Sequence, residues 1–225
     1  MKKNKVFVAC DSKNINKVKN IIQNTQNSEI KIGYKFGLEF FNSKNGRNFI
    51  SKIKNKIVFA DLKLHDIPNT VKKTIQGLSL LPITMLTIHT SGGKDMMMAA
   101  MEATSDTQIK VFGVTALTSL SDDEIDEIFQ RTSSEQVNAM LDLAESAGID
   151  GIVCSPHELK LVKKRDNLLS ITPGIRLQDS NDDQKRVMTP KEAINLGADF
   201  LVIGRPITKA ENIGEALDKV FQNIS

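Results

Sequence analysis

Short apolar runs alternate with longer stretches of helical periodicity along almost the whole chain. Eight runs read as strands: Val6–Cys10, Ile30–Phe36, Ile57–Leu62, Met85–His89, Ile109–Val114, Gly151–Cys154, Leu169–Thr172 and Phe200–Ile203. Each is short and rich in Val, Ile, Leu or Phe, as parallel strands buried on both faces are. Between and after them the pattern predicts helices at Ile15–Gln23, Ser43–Lys54, Thr70–Leu80, Lys94–Ala103, Glu135–Ala147, Pro156–Lys164, Pro190–Leu196 and Ile213–Phe221. Thr189-Pro-Lys-Glu192 and Ser155-Pro-His-Glu158 each set an N-cap hydroxyl, a Pro at the first helical position and a Glu three residues after the cap. Ser121-Asp-Asp-Glu124 is a further capping box and opens a short extra helix. Gly148 and Gly197 stand where helices end.

Eight strand–helix units predict an α/β fold, a single-domain (β/α)8 TIM barrel over residues 1–225. The competing arrangement is an open doubly wound sheet. Even spacing, the count of eight and the lack of a GxGxxG after the first strand favour the barrel. With 40% apolar residues the chain can build a full core. Thirty Lys and Arg against 27 Asp and Glu leave a net charge of +3, too small an excess for a dedicated nucleic-acid binder. No apolar run approaches the ~18 residues of a membrane span, and VFVAC is too short for a signal-peptide core. The two cysteines, Cys10 and Cys154, lack metal-type spacing and fit a reducing, cytoplasmic setting.

In a barrel, chemistry belongs at the C-terminal strand ends. The third strand runs into Phe59-Ala-Asp-Leu-Lys-Leu-His-Asp-Ile-Pro68. Asp61 and Lys63, two apart, point to one side, while Leu62 and Leu64 point to the other. Pro68 stops the strand and Asn69 is placed to cap the next helix. Asp66 follows in the loop. Buried charges rarely help stability, so three of them beside an apolar strand point to function rather than to an ion pair that merely closes the barrel. On the second strand Lys31 falls near the barrel bottom and Lys35 near the mouth. The first strand ends at Asp11. Asp11, Lys35, Asp61, Lys63 and Asp66 can therefore form an alternating ionic network.

Thr172-Pro-Gly-Ile-Arg176 follows strand seven and Gly204-Arg205 follows strand eight. Loops at these two places commonly hold a phosphate, with Gly admitting backbone N–H groups and Arg supplying a charged fork. Gly-Arg alone is equally a surface arginine; its place after strand eight, opposite an ionic cluster, favours phosphate. His65, His89 and His157 have no metal-type spacing, and His89 ends a strand either beside a ligand or in a core hydrogen bond. Met96-Met-Met98 reads as helix packing, and the cysteines as packing residues.

Asp61-Leu-Lys-Leu-His-Asp-Ile-Pro68 resembles the signature of the orotidine 5′-phosphate decarboxylase family in its bacterial form. Ala9-Cys-Asp11, Lys35-Phe-Gly-Leu-Glu-Phe-Phe41, Ile88-His-Thr-Ser-Gly-Gly93, Val114-Thr-Ala-Leu-Thr-Ser119, Val153-Cys-Ser155, Thr172-Pro-Gly-Ile-Arg176, Asp183-Gln184 and Ile203-Gly-Arg205 resemble it in the same order. Pro206 and a short Leu177–Gln184 segment depart from its pattern. The resemblance implies a homodimer that converts orotidine 5′-phosphate to UMP and CO2, the last step of de novo pyrimidine nucleotide synthesis, without cofactor or metal. It implies Lys63 as proton donor, working with Lys35, Asp61 and an Asp66 supplied by the other subunit. It also implies ribose contacts from Asp11 and Lys35, Thr70 from the partner chain, and Thr118 facing the pyrimidine. Arg176, Gln184, Gly204 and Arg205 fall on the phosphate side. Sister enzymes that act on sugar phosphates with Mg2+ share Asp-x-Lys-x-x-Asp but carry a carboxylate where Lys35 stands; a barrel that binds nucleotides without turnover is the non-enzymatic alternative.

Overall fold

The computed structural model describes residues 5–26, 31–117, 119–177 and 187–224, and of Lys5 the backbone only. Its first half runs β1 (Lys5–Ala9), α1 (Ile15–Asn24), β2 (Ile32–Gly37), α2 (Leu38–Phe41), α3 (Gly46–Ile50), β3 (Ile57–Leu64), α4 (Pro68–Leu78), β4 (Met85–His89) and α5 (Gly93–Thr104). The second half runs β5 (Lys110–Val114), α6 (Asp122–Phe129), α7 (Ser133–Ala147), β6 (Gly151–Val153), α8 (Leu159–Val162), β7 (Leu169–Thr172), α9 (Pro190–Asn195), β8 (Phe200–Ile203), α10 (Arg205–Thr208) and α11 (Ile213–Ile224). The strands are parallel and close in chain order, β1 to β8, with β8 pairing back onto β1. The predicted barrel is the observed one.

Alternation along the strands separates two cores. Side chains pointing outward, among them Val6, Val8, Tyr34, Phe36, Val58, Leu86 and Ile88, pack under the helices. Those pointing inward include Phe7, Phe59, Met85, Phe112, Ile171 and Phe200. Phe7 meets Phe59 edge-on at 5.3 Å and lies tilted against Phe200 at 5.8 Å, and Phe112 meets Phe200 edge-on at 6.1 Å. The rings fill the barrel because neighbouring strands make room: a Cβ on Gly33 would stand 2.4 Å from the Phe7 ring, and one on Gly151 would stand 2.5 Å from that of Phe112. The barrel interior is thus a packed plug, and the site is built on top of it.

Three local expectations are corrected. The helix expected over 43–54 is only α3 (Gly46–Ile50), and a separate single turn, α2, precedes it; the two are packed together where Gly46 lies against the Phe40 carbonyl. Asn69 is not the cap of α4; Ile67 holds that place and Pro68 opens the helix, its missing N–H falling where no intrahelical partner exists. The helix over 156–164 is a 3-10 turn, Pro156–Glu158, followed by α8. The capping boxes at Ser121 and Thr189 form, and Gly148 ends α7 with φ 69°. A further box, Thr132 with Glu135, starts α7 earlier than the apolar pattern suggested. Among the described residues no helix is long and apolar enough to cross a membrane.

Candidate active site

A cavity of about 520 Å3 opens at the C-terminal ends of the strands. Its floor is Phe59, Val114, Val153, Ile171 and Val202. Three strands deliver charge onto that floor. Lys35 Nζ, on β2, lies 3.1 Å from Asp11 Oδ2 beyond β1 and 3.2 Å from Asp61 Oδ2 on β3. Asp61 Oδ1 accepts from Lys63 Nζ at 2.7 Å. The order is Asp11–Lys35–Asp61–Lys63, each charge beside its opposite. Gly37 makes this possible, since a Cβ there would stand 2.8 Å from Asp11 Oδ1.

Burial differs along the series. The Lys35 and Asp61 side chains are 10% and 13% exposed, against 31% for Lys63 and 45% for Asp11. Burial alone would pull the Lys35 pKa down, but Asp61 and Asp11 outweigh it and raise the pKa. Burial would likewise raise the Asp61 pKa, and Lys35 and Lys63 overcome it, holding the carboxyl below its usual range. The inner pair is therefore fixed in its charged form. Lys63 is the end member, with a carboxylate on one side and the cavity on the other.

Lys63 also has an unusual backbone. Its φ is +48°, a left-handed conformation costly for a residue with a Cβ. The cause is a bulge. Ala60 pairs with Leu86 and Leu64 with Ile88, so Asp61, Leu62 and Lys63 all face the single residue Thr87. The Lys63 N–H, displaced from the ladder, donates to Thr87 Oγ1 at 2.9 Å, and that hydroxyl donates to Asp61 Oδ1 at 3.1 Å. Asp61 and Lys63 do share a side, as alternation predicts, but through a bulged rather than a regular strand.

The far rim is cationic. Arg176, Gly204 and Arg205 line the cavity, together with Gly174, which turns the chain at φ 77°. Arg176 is buried and donates through Nη1 to the Ile175 carbonyl at 2.9 Å. Pro206 sits in the first turn of α10, where its missing N–H removes no helical bond. Among the described residues six lining side chains carry positive charge (Lys17, Lys35, Lys63, Arg176, Arg205 and Lys209) against two carboxylates, Asp11 and Asp61. Such a cavity focuses field on an anionic ligand.

Two of the predicted site residues do not join the cavity of their own chain. Asp66 is exposed, its Oδ1 accepting from the Ile67 N–H at 2.8 Å, and Thr70 is exposed on α4. Thr118 and Gln184 lie outside the described residues, while Ser119 lines the cavity. His89 stacks at 5.3 Å on His65; its own burial, then His65 and Lys63, hold its pKa below the ordinary histidine value. Cys10 and Cys154 are buried free thiols with raised pKa values, Cys10 to about 12, mainly through burial, so neither is a ready nucleophile. Met96 and Met97 are core residues. No group of three or more His, Cys, Asp and Glu side chains is gathered for a metal among the described residues. Sequence reasoning missed Thr87 and Gly37. The signal for Thr87 was a hydroxyl at an inward position, between Met85 and His89, of an otherwise apolar buried strand.

Comparison with known proteins places this arrangement among relatives. The family model for "Orotidine 5'-phosphate decarboxylase / HUMPS family" matches residues 4–220. A Wolbachia protein from Brugia malayi named orotidine 5′-phosphate decarboxylase is 40% identical over 228 residues, covering 99% of this chain and all of its own length. One of the same name from Ehrlichia canis is 43% identical over 196 residues, covering 85% of this chain and 86% of its own. The crystal structure of orotidine 5′-phosphate decarboxylase from Lactobacillus acidophilus superposes with a TM-score of 0.84 at 31% identity, covering 99% of both chains.

Proposed function

The chain belongs to the orotidine 5′-phosphate decarboxylase / HUMPS family, and from that premise we propose that it turns orotidine 5′-phosphate into UMP and CO2 with Lys63 as the proton donor. The enzyme is a carboxy-lyase, as its relatives' names and the family match support. Its place is the pyrimidine pathway. We read residues 1–225 as one catalytic domain, acting in the cytoplasm as a homodimer.

The observation that carries this reading is the Asp11–Lys35–Asp61–Lys63 series, with its last cation open to the cavity. Loss of CO2 from C6 of the pyrimidine leaves an electron pair that no neighbouring group can delocalise. A cation held beside C6 stabilises that charge as it develops and costs no reorganisation when it does. Lys63, fixed by Asp61, is such a cation, and it then delivers a proton to C6. Asp61 is its anchor and Lys35 holds Asp61 ionised. Asp11 and Lys35 face the ribose, and Thr118 the pyrimidine. Arg176, Gln184, Gly204 and Arg205 hold the phosphate, far from C6, where binding energy can be spent on closure and orientation. Asp66 and Thr70 reach the site of the partner subunit, which accounts for their exposure here.

The alternative is a sister enzyme on the same scaffold that acts on sugar phosphates with Mg2+. Lys35 argues against that alternative, because a buried ammonium bonded to both carboxylates would repel a divalent cation there. The test is turnover of orotidine 5′-phosphate in EDTA, followed by ultraviolet absorbance, with Lys63→Ala in parallel. Chelator-insensitive formation of UMP, reduced at least about 10^3-fold in the folded variant, is expected. Failure of folded wild-type enzyme to turn over would overturn the reading, and sugar phosphates with Mg2+ would be tried next.

A further inference from the structure

We propose that Thr87 is a positioning residue of this site: its hydroxyl ties the bulged backbone of Lys63 to the Asp61 carboxylate and so aims the Lys63 ammonium. The geometry leaves the hydroxyl one arrangement. The Lys63 N–H can only donate, so Thr87 Oγ1 accepts from it at 2.9 Å. Asp61 Oδ1, which already accepts from Lys63 Nζ, can only accept, so the Thr87 proton points to it at 3.1 Å. Thr87 is fully buried, and no solvent competes for either bond.

The need for it comes from the bulge. Three residues of β3 face one residue of β4, which takes the Lys63 N–H out of the strand ladder and leaves φ at +48°. A buried N–H without a partner is costly, and so is the left-handed backbone. One hydroxyl satisfies the first and restrains the second. It also closes a small ring: Lys63 backbone to Thr87, Thr87 to Asp61, Asp61 to Lys63 Nζ. Valine in its place keeps the shape but breaks the ring at two points, freeing the lysine to adopt other backbone and side-chain positions.

This inference rests on the decarboxylase reading for its kinetic effect, but not for its electrostatic one. The groups facing Asp61 are Lys35 from β2, Lys63 from β3 and Thr87 from β4, with His89 and Asp11 nearby. Removing the Thr87 proton donor withdraws one stabilising bond from the carboxylate and must move its titration upward.

The experiment compares Thr87→Val, Thr87→Ser and, as control, Thr84→Val. Thr84 bonds the Val58 carbonyl at 2.9 Å, ties the same two chain segments and stands away from the cavity. Expected in Thr87→Val are a kcat lower by about ten- to a hundredfold with KM within about twofold, most of it restored in Thr87→Ser, and no such change in Thr84→Val. In the free enzyme, NMR titration of the Asp61 carboxyl is expected to shift upward in Thr87→Val and to return in Thr87→Ser. If the valine variant does not fold, Thr87→Ala is read by the same criteria. Wild-type kcat in the valine variant, or a serine variant as impaired as the valine one, would overturn the proposal. An unmoved Asp61 titration would do so too. Absence of wild-type turnover with the NMR shift intact would overturn the decarboxylase reading and leave the positioning role of Thr87 standing.

Discussion

Lys35 does the most at the scale of one side chain. Its ammonium is nearly buried and bonded to carboxylates on both sides, and its removal leaves Asp61 buried with one cation fewer. Lys35→Met should cost about 3 kcal/mol, the range for breaking one partner out of a buried ion pair. The Asp11 side contributes little to that figure, since Asp11 is 45% exposed and solvent screens it. The pH dependence follows from the two shifts. Asp61 is depressed in the fold, so its contribution is present above the ordinary value near 3.8 and is lost as pH falls through the lower folded value. Lys35 is raised, so its contribution is present below 10.5 and is lost as pH rises through the higher folded value. Wild-type stability from this pair therefore holds across the span between those two pH values. In Lys35→Met, Asp61 titrates higher and its protonation relieves the penalty, so the difference in Tm from wild type should narrow as pH falls toward 4. A thermal melt series of both proteins from pH 4 to 9 checks this, and a constant difference would contradict it.

Elements show which features the sequence could specify. Eight strands were legible because burial on both faces demands continuous apolar runs, and turn chemistry brackets them. The charged residues at the mouth were legible for the converse reason, since Asp61 and Lys63 interrupt an apolar strand. Thr87 was not, because its partners arise from a strand register that β3 and β4 settle between them. The crossover between β2 and β3 was misread for a related reason. Phe49 and Ile50 continue a helical period back to Ser43, but tertiary packing cuts it: Phe40 is fully buried and its carbonyl takes the space over Gly46. A Cβ at Gly46 would stand 1.9 Å from that oxygen and 2.9 Å from Ser43 Oγ. The obstacle is backbone, which cannot step aside as a side chain can. Gly46→Ala should therefore destabilise the protein by about 2 kcal/mol or more, as overpacking does, while leaving KM near wild type. Urea denaturation beside steady-state kinetics measures both, and a neutral alanine would show that α2 and α3 can part.

At the scale of the whole molecule, the proposed homodimer calls for a site that two chains build together. Asp66 and Thr70 stand exposed at the start of α4, outside the cavity that their sequence motif marks, and Ile67 between them is 68% exposed. A carboxylate and a large apolar side chain presented together on the rim suit a second copy whose cavity receives the former and whose surface covers the latter. If two copies exchange Asp66 across a two-fold axis, the defects Lys63→Ala and Asp66→Ala fall in different places. Within a mixed dimer, one cavity carries both substitutions and the other carries neither. Random exchange makes half the dimers mixed, and half of their sites intact, so an equimolar mixture of the two inactive variants should recover about a quarter of the wild-type rate per site. Recovery should grow over the time that subunits take to exchange and should vanish if the variants are cross-linked as homodimers before mixing. A mixture that stays inactive although mass spectrometry shows mixed dimers would contradict the shared site, as would an Asp66→Ala enzyme with wild-type kcat. A shared site also predicts that specific activity falls on dilution below the dimer Kd, because a separated chain would keep Lys63 and lack the carboxylate that the proposed partner would supply.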